Sequence, residues 1–264
     1  MSLHTSVGES GRLLSSLDPN PVTIINQESS FPVLLVCEHA GKTVPAALNG
    51  LGLSDDAREA HIGWDIGAAA VTRLMAEQLG APAVFQSYSR LVIDCNRPPE
   101  APDAMPEVSD GVIVPGNRSL SEEARAHRTR EIFEPFNAAV TMMREAPHCR
   151  AILSIHSFNP QLQDGVPRPW EISFLYRNDV RTSERLRQLV LENAPDMTVG
   201  MNEPYTIDDE SDWFVPRHGE LSGLPHSLIE IRNDLISDAV GQAQWAKLMT
   251  AVVHRFVTEL QEWN

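Results

Sequence analysis

Positive charge is scarce in this sequence. Its 264 residues carry 21 Lys and Arg against 36 Asp and Glu, a formal net charge of -15, and no basic block interrupts that acidic field. Such a chain repels polyphosphate, so nucleic acid is a poor candidate partner and none is expected, and any anionic ligand has to be caught by a few locally placed arginines. Long apolar runs are missing as well. No stretch approaches the roughly 18 residues needed to span a bilayer, which leaves no membrane partner to expect. The opening MSLHTSVGESGRLLSSLDPNP has no cationic start followed by an apolar core, so it does not read as a secretory signal, and a soluble cytoplasmic protein is expected. Only three cysteines occur, Cys37, Cys95 and Cys149, widely spaced and set in or beside apolar runs. That pattern suits reduced core thiols and argues against a disulfide framework or a thiolate metal site. Aromatics make up 6% of the chain, and internal repeats and low-complexity tracts are absent, which removes repeat architectures.

What is present is a set of short apolar runs that end in polar groups. Val33, Leu34, Leu35, Val36 and Cys37 predict a strand buried on both faces, as in a parallel sheet, and the run stops at Glu38, His39, Ala40 and Gly41. A carboxylate and an imidazole at the end of a core strand lie where α/β sheets place ligands and chemistry. A lone Glu-His pair can equally begin a solvated loop. Two further core strands are expected: Ala151 to Ile155, ending in His156, and Ser227 to Asp234, with Glu230 and Arg232 alternating to one side.

The remaining segments alternate between strand and helix patterns. Val22 to Asn26 reads as an edge strand, and Ser54 with Asp55 and Asp56 caps a helix running to about His61. Asp65 sits at the mouth of a helix whose Ala68, Val71, Leu74, Met75 and Leu79 recur at helical spacing, closed by Gly80. Ala81 to Phe85 and Leu91 to Ile93 read as strands, and Pro98 to Gly116 as a flap or rim loop. Ser121 starts a long helix to about Glu145, which Pro135 is expected to kink or break. Glu171 to Tyr176 reads as a strand, Thr182 or Ser183 as the cap of an amphipathic helix, Thr198 to Met201 as a weak strand, and Gln242 to Trp263 as a closing helix. These alternations predict an α/β fold, a single domain over 22–264 with a mostly parallel or mixed central sheet and helices on both faces. Residues 1–21 are expected to form a loose lead-in.

Four segments then bring chemistry to one sheet edge: Glu38/His39, Asp94/Asn96/Arg97, His156 and Glu230/Arg232. Two histidines at the ends of two strands, with a carboxylate beside them, supply what a catalytic zinc site needs, neutral imidazoles, a hard oxygen and an open position for water. Glu230 is left over as a general base, or else it pairs with Arg232 or Arg97. An arginine fork suits a substrate carboxylate, and Asn96 next to Arg97 adds a neutral donor. Arg90 can instead pair with Asp94 and brace the loop.

CEHAG with His39, HIGWDIGAA with Asp65, SRLVIDCNRPP, ILSIHSF with His156 and IEIRND together resemble the N-formylglutamate amidohydrolase family over roughly Pro32 to Leu235. They are also similar to the wider zinc carboxypeptidase and aspartoacylase group. The resemblance implies a phosphorylase/hydrolase-like (zinc-peptidase-like) fold and metal-dependent cleavage of the amide bond of an N-acylated acidic amino acid, N-formylglutamate being the first to try. It implies His39 and His156 as ligands of a divalent metal, zinc by preference, Glu230 as general base and Arg90, Asn96 and Arg97 as groups that bind the substrate carboxylate or polarise the scissile carbonyl. Arg90, or else Arg97, is expected to steady the oxyanion, and Arg232 joins Asn96 and Arg97 on the substrate side. The carboxypeptidase group has a carboxylate three residues after its first histidine, where this chain has Lys42, so the third ligand is expected from Asp65 first and Glu38 second. Glu-His-Ala-Gly also replaces the family's Pro-His-Ser-Gly-like run. The competing expectation is a non-catalytic protein that binds a metal or an acidic metabolite on the same fold.

Overall fold

The computed structural model describes residues 11–162, 165–260 and 262–263. In chain order its elements are β1 (Val22–Ile25), β2 (Val33–Cys37), α1 (Asp55–Glu59), α2 (Ala68–Leu79), β3 (Ala83–Gln86) and a small hairpin, β4 (Val108–Ser109) and β5 (Val112–Ile113). There follow α3 (Glu122–Arg128), α4 (Glu134–Arg144), β6 (Ala151–Phe158), β7 (Ile172–Leu175), α5 (Val180–Asn193), β8 (Val199–Met201), β9 (His226–Arg232) and α6 (Ala239–Leu260). One sheet has the order β1-β3-β2-β6-β9-β7-β8. Its centre, β3, β2, β6 and β9, is parallel, while β1 and β7 run antiparallel to their inner neighbours. The fold is thus a single α/β domain on a mixed sheet.

Every residue of β2 and β6 is buried, because helices cover both faces. Alternate side chains of a strand point to opposite faces. Leu35, Leu153 and Ile229 enter one core with α2, α5 and α6, while Leu34, Val36 and Ile152 enter the other with α4. From β2 the chain crosses through α2 to β3 on one side, then through α3 and α4 to β6 on the other side of β2. The carboxyl ends of β2 and β6 therefore flank a topological switch point, where a crevice opens outside the strand ends.

Several expectations are corrected. Leu91–Ile93 is a buried turn and not a strand: the Leu91 carbonyl accepts from Asn117 Nδ2 at 2.8 Å and the Val92 carbonyl from Arg128 Nη1 at 2.8 Å, so side chains replace a strand neighbour. Pro135 does not break its helix; it sits in the first turn of α4, and the irregularity lies upstream in a wide turn where Glu134 N–H reaches the Thr129 carbonyl. The cap of α5 is Asp179, whose carboxylate accepts from Thr182 N–H at 3.0 Å, while Thr182 and Ser183 are buried inside the helix. His156 lies inside β6 because pairing with β9 continues to Phe158. Residues 1–10 of the expected lead-in lie outside the described residues. Beyond them, Leu13 is buried and its N–H donates to Glu131 at 2.8 Å. Cys37, Cys95 and Cys149 are free and buried. Among the described residues no helix is long and apolar enough to cross a membrane.

Gly67 sets the entry of α2 and with it Asp65. Its φ is +82°, and a Cβ there would collide with the Ile236 carbonyl. Gly67→Ala is expected to destabilise the protein by roughly 1–3 kcal/mol or more through the left-handed backbone and the collision. Denaturant unfolding checks this, and an unchanged midpoint would contradict it.

Candidate active site

Three ligand-type atoms converge at the switch point. His39 lies just beyond β2, His156 projects from β6, and Asp65 is held ahead of α2 by its N–H on the His39 carbonyl at 3.0 Å. The two Nδ1 atoms are 3.0 Å apart, and Asp65 Oδ2 lies 3.0 Å from that of His156 and 3.3 Å from that of His39. A tetrahedral zinc ion with ligands at about 2.0–2.1 Å spaces them by about 3.3 Å, so this triangle has the dimensions of a zinc site. Two imidazole nitrogens this close need a proton or a cation between them. All three residues are buried and form a group that could hold a metal ion. The donor set, two nitrogens and one hard oxygen, fits a divalent metal.

The outer nitrogens of both histidines face carboxylates. His39 Nε2 donates to Asp94 Oδ1 at 2.7 Å, which turns Nδ1 toward the triangle. Asp94 is fixed by the Asn96 N–H at 2.9 Å and by Arg90, whose Nη2 and Nε donate to Oδ2 at 2.8 and 3.1 Å. Arg90 Nη1 reaches Asp65 Oδ1 at 3.3 Å. Behind His156, Glu38 Oε2 lies 3.0 Å from Nε2 as a charge contact off the hydrogen-bond line, and it accepts from Ser154 Oγ at 2.5 Å. The register dictates this: Val36 pairs with Ser154, so Glu38 comes alongside His156.

Electrostatics follow from burial and these partners. Burial alone would lower the basicity of His156, but Glu38 and Asp65 overcome it and hold the imidazole well above its usual range. Burial would raise Asp65 and Asp94, yet His39 draws both well below the carboxylate range, helped at Asp94 by Arg90. A metal held by the triangle would therefore have to displace a proton. Glu230 pairs with His156 across β9 and β6 and shares its face; its Oε2 is buried and has no hydrogen-bond partner among the described residues. Burial pushes its carboxyl up to about 7. Burial lowers His61 to about 4, so that ring is neutral. A cavity of about 420 Å³ lies over the triangle, lined in part by Glu230, His61, Asn96, Arg97 and Tyr205.

The model of the N-formylglutamate amidohydrolase family matches residues 31–237. The chain belongs to this family. Its structure is similar to that of a gene product of Agrobacterium tumefaciens, with a TM-score of 0.88 and 37% identity over 95% of this chain and 100% of that one. It also resembles the N-formylglutamate amidohydrolase of Ralstonia eutropha, with a TM-score of 0.70 and 19% identity over 93% of this chain and 100% of that one, a likeness of fold. The comparison with curated proteins found no match.

Of the residues that the family resemblance singles out, seven surround one site: His39, Asp65, His156, Glu230, Arg90, Asn96 and Arg97. Arg232 does not join them. Its Nε donates to Asp234 at 2.8 Å and its Nη1 to the Arg168 and Pro169 carbonyls at 3.4 Å, so it buttresses the loop before β7. It shares a face with Glu230 but sits about 6.6 Å further along the strand, past the cavity. Asp65, not Glu38, completes the triangle, and Glu38 backs His156. Asn96 Oδ1 accepts from the Phe214 N–H at 2.7 Å, leaving its amide nitrogen for other partners. Arg97 lies 3.1 Å from Asp103 and 3.4 Å from Asp212. The sequence reading missed Asp94 as the partner of His39, along with His61 and Tyr205. Asp94 left a signal in its four-residue spacing from Arg90, and His61 opens the HIGWDIGAA run; Tyr205 left none.

Proposed function

We propose that the chain is a metal-dependent amidohydrolase of the N-acyl bond of an acidic amino acid such as N-formylglutamate. The observation that carries this reading is the His39–Asp65–His156 triangle of zinc-site dimensions with, on the same face, the buried Oε2 of Glu230, which has no hydrogen-bond partner among the described residues. His39 Nδ1, His156 Nδ1 and Asp65 Oδ2 would hold the metal, zinc by preference. When bound, the metal polarises the acyl carbonyl and makes water ionise near neutral pH. Glu230 takes the proton of the attacking water on its free oxygen and passes it to the leaving amine. Arg90, fixed by Asp94, places positive charge beside the carbonyl oxygen as it becomes anionic. The Asn96 amide and Arg97 face a substrate carboxylate, Arg97 keeping Nη2 outside its ion pairs.

The substrate contact is tested by Arg97→Lys, which removes the planar fork while keeping the charge. The expected loss in kcat/KM on N-formylglutamate corresponds to roughly 2–4 kcal/mol of transition-state binding. A change within a few fold for every acidic N-acyl amino acid tried would leave Arg97 with a structural role. No release of formate or other acyl acid from any of these compounds, with zinc, cobalt or manganese supplied, would defeat the proposed activity itself.

A further inference from the structure

An N-acylated acidic amino acid carries two carboxylates, and Arg97 can face only one of them. The other arginines that the sequence suggested are committed: Arg90 to two buried aspartates, Asp94 and Asp65, and Arg232 to Asp234. Arg90 gives Nε and Nη2 to Asp94 and Nη1 to Asp65, which leaves it no two-pronged edge for a further carboxylate. Arg168 differs. Among the described residues it has no carboxylate partner; its Nη1 donates to the Asn159 carbonyl at 3.2 Å and to the Tyr205 hydroxyl at 3.2 Å. Its guanidinium lies 5.1 Å from the Tyr205 ring centroid and 5.9 Å from that of Phe158. Tyr205 and His61 line the cavity over the triangle, and the charge of Arg168 acts on both.

The donor inventory makes this pair a carboxylate receptor. Arg has five N–H groups, and the two contacts of Nη1 leave the Nε and Nη2 edge, the fork that grips a carboxylate by two parallel bonds. The Tyr205 oxygen accepts from Arg168, so its own O–H is free to donate. We propose that Arg168, with the Tyr205 hydroxyl, receives the second carboxylate of the substrate and sets the preference for an acidic over a neutral N-acyl amino acid. The inference rests on the amidohydrolase reading given above.

The test compares wild type, Arg168→Met, Arg168→Lys and Tyr205→Phe, each metal-loaded, on N-formylglutamate and its two monoamides. Wild type should disfavour both monoamides. Arg168→Met should raise KM for N-formylglutamate about 10- to 100-fold, the range for a charge-assisted bond, with kcat within a few fold. It should also erase the discrimination against one monoamide and keep that against the other; Arg168→Lys should recover part of the loss, and Tyr205→Phe should fall between. A KM change shared equally by all three substrates, or a fall in kcat or Tm alone, would make Arg168 a loop brace and overturn the proposal. If wild type turns over none of them, the amidohydrolase reading fails, and calorimetric binding of N-formylglutamate decides this inference separately. Binding by wild type that Arg168→Met loses supports it. Equal binding by both, or none by wild type, overturns it.

Discussion

Glu230→Gln should lower kcat on N-formylglutamate by about 10²- to 10⁴-fold while zinc and substrate still bind, since the substitution removes the proton acceptor and keeps the shape. The wild-type profile of kcat/KM should carry an acid limb, with activity falling as pH drops through the titration of Glu230, which burial pushes up to about 7 in the metal-free protein. A nearby divalent cation moves that limb downward. The variant's residual rate should lack the limb. Stability supplies an independent sign. A carboxyl raised from 4.5 to about 7 on folding favours the folded state while it stays protonated, and this contribution is lost as pH rises from 4.5 through 7. Metal-free Glu230→Gln should therefore unfold no earlier than metal-free wild type at pH 8. A variant that hydrolyses at the wild-type rate would place the base elsewhere. Binding of N-formylglutamate by both forms, with hydrolysis by neither across several metals and acyl groups, would favour the binding-protein reading.

Loss of either imidazole should abolish metal binding and turnover, but the two losses should differ in stability. His156→Ala leaves Glu38, 2% exposed, with a buried charge whose remaining support is Ser154. Removing one partner of such a pair costs roughly 3–5 kcal/mol. His39→Ala strands Asp94 far less, because Arg90 and the Asn96 N–H still hold that carboxylate. Chemical denaturation of the metal-free variants should show His156→Ala to be the weaker by a wide margin. Equal stabilities would mean that the contact of Glu38 with His156 contributes little.

The core strands were legible because a strand buried on both faces must be apolar throughout, so Val33–Cys37 and Ala151–Ile155 could be read without a partner. His39, His156 and Glu230 were legible for the related reason that a polar group at or near the end of such a run is conspicuous. Leu91–Ile93 misled because an apolar turn and a short strand look alike when the groups that satisfy the backbone, Asn117 and Arg128, lie 26 and 36 positions away. The hold of Asp94 on His39 spans 55 positions and no regular element. Arg168 and Tyr205 come from loops with no period, where the sequence offers nothing to align. Asp179 and Thr182 are both capping residues three apart, and the side chain that accepts the amide decides between them.

We propose that the triangle of His39, Asp65 and His156 holds the catalytic metal and that Glu230 works beside it. The most direct measurement is a titration of metal-free protein with zinc, following formate released from N-formylglutamate and bound zinc in the same samples. Activity should rise in proportion to zinc and level off at one equivalent per chain, while Glu230→Gln takes up the same equivalent with almost no turnover. Full activity in the metal-free protein, or no activity at any loading with zinc, cobalt or manganese, would contradict it.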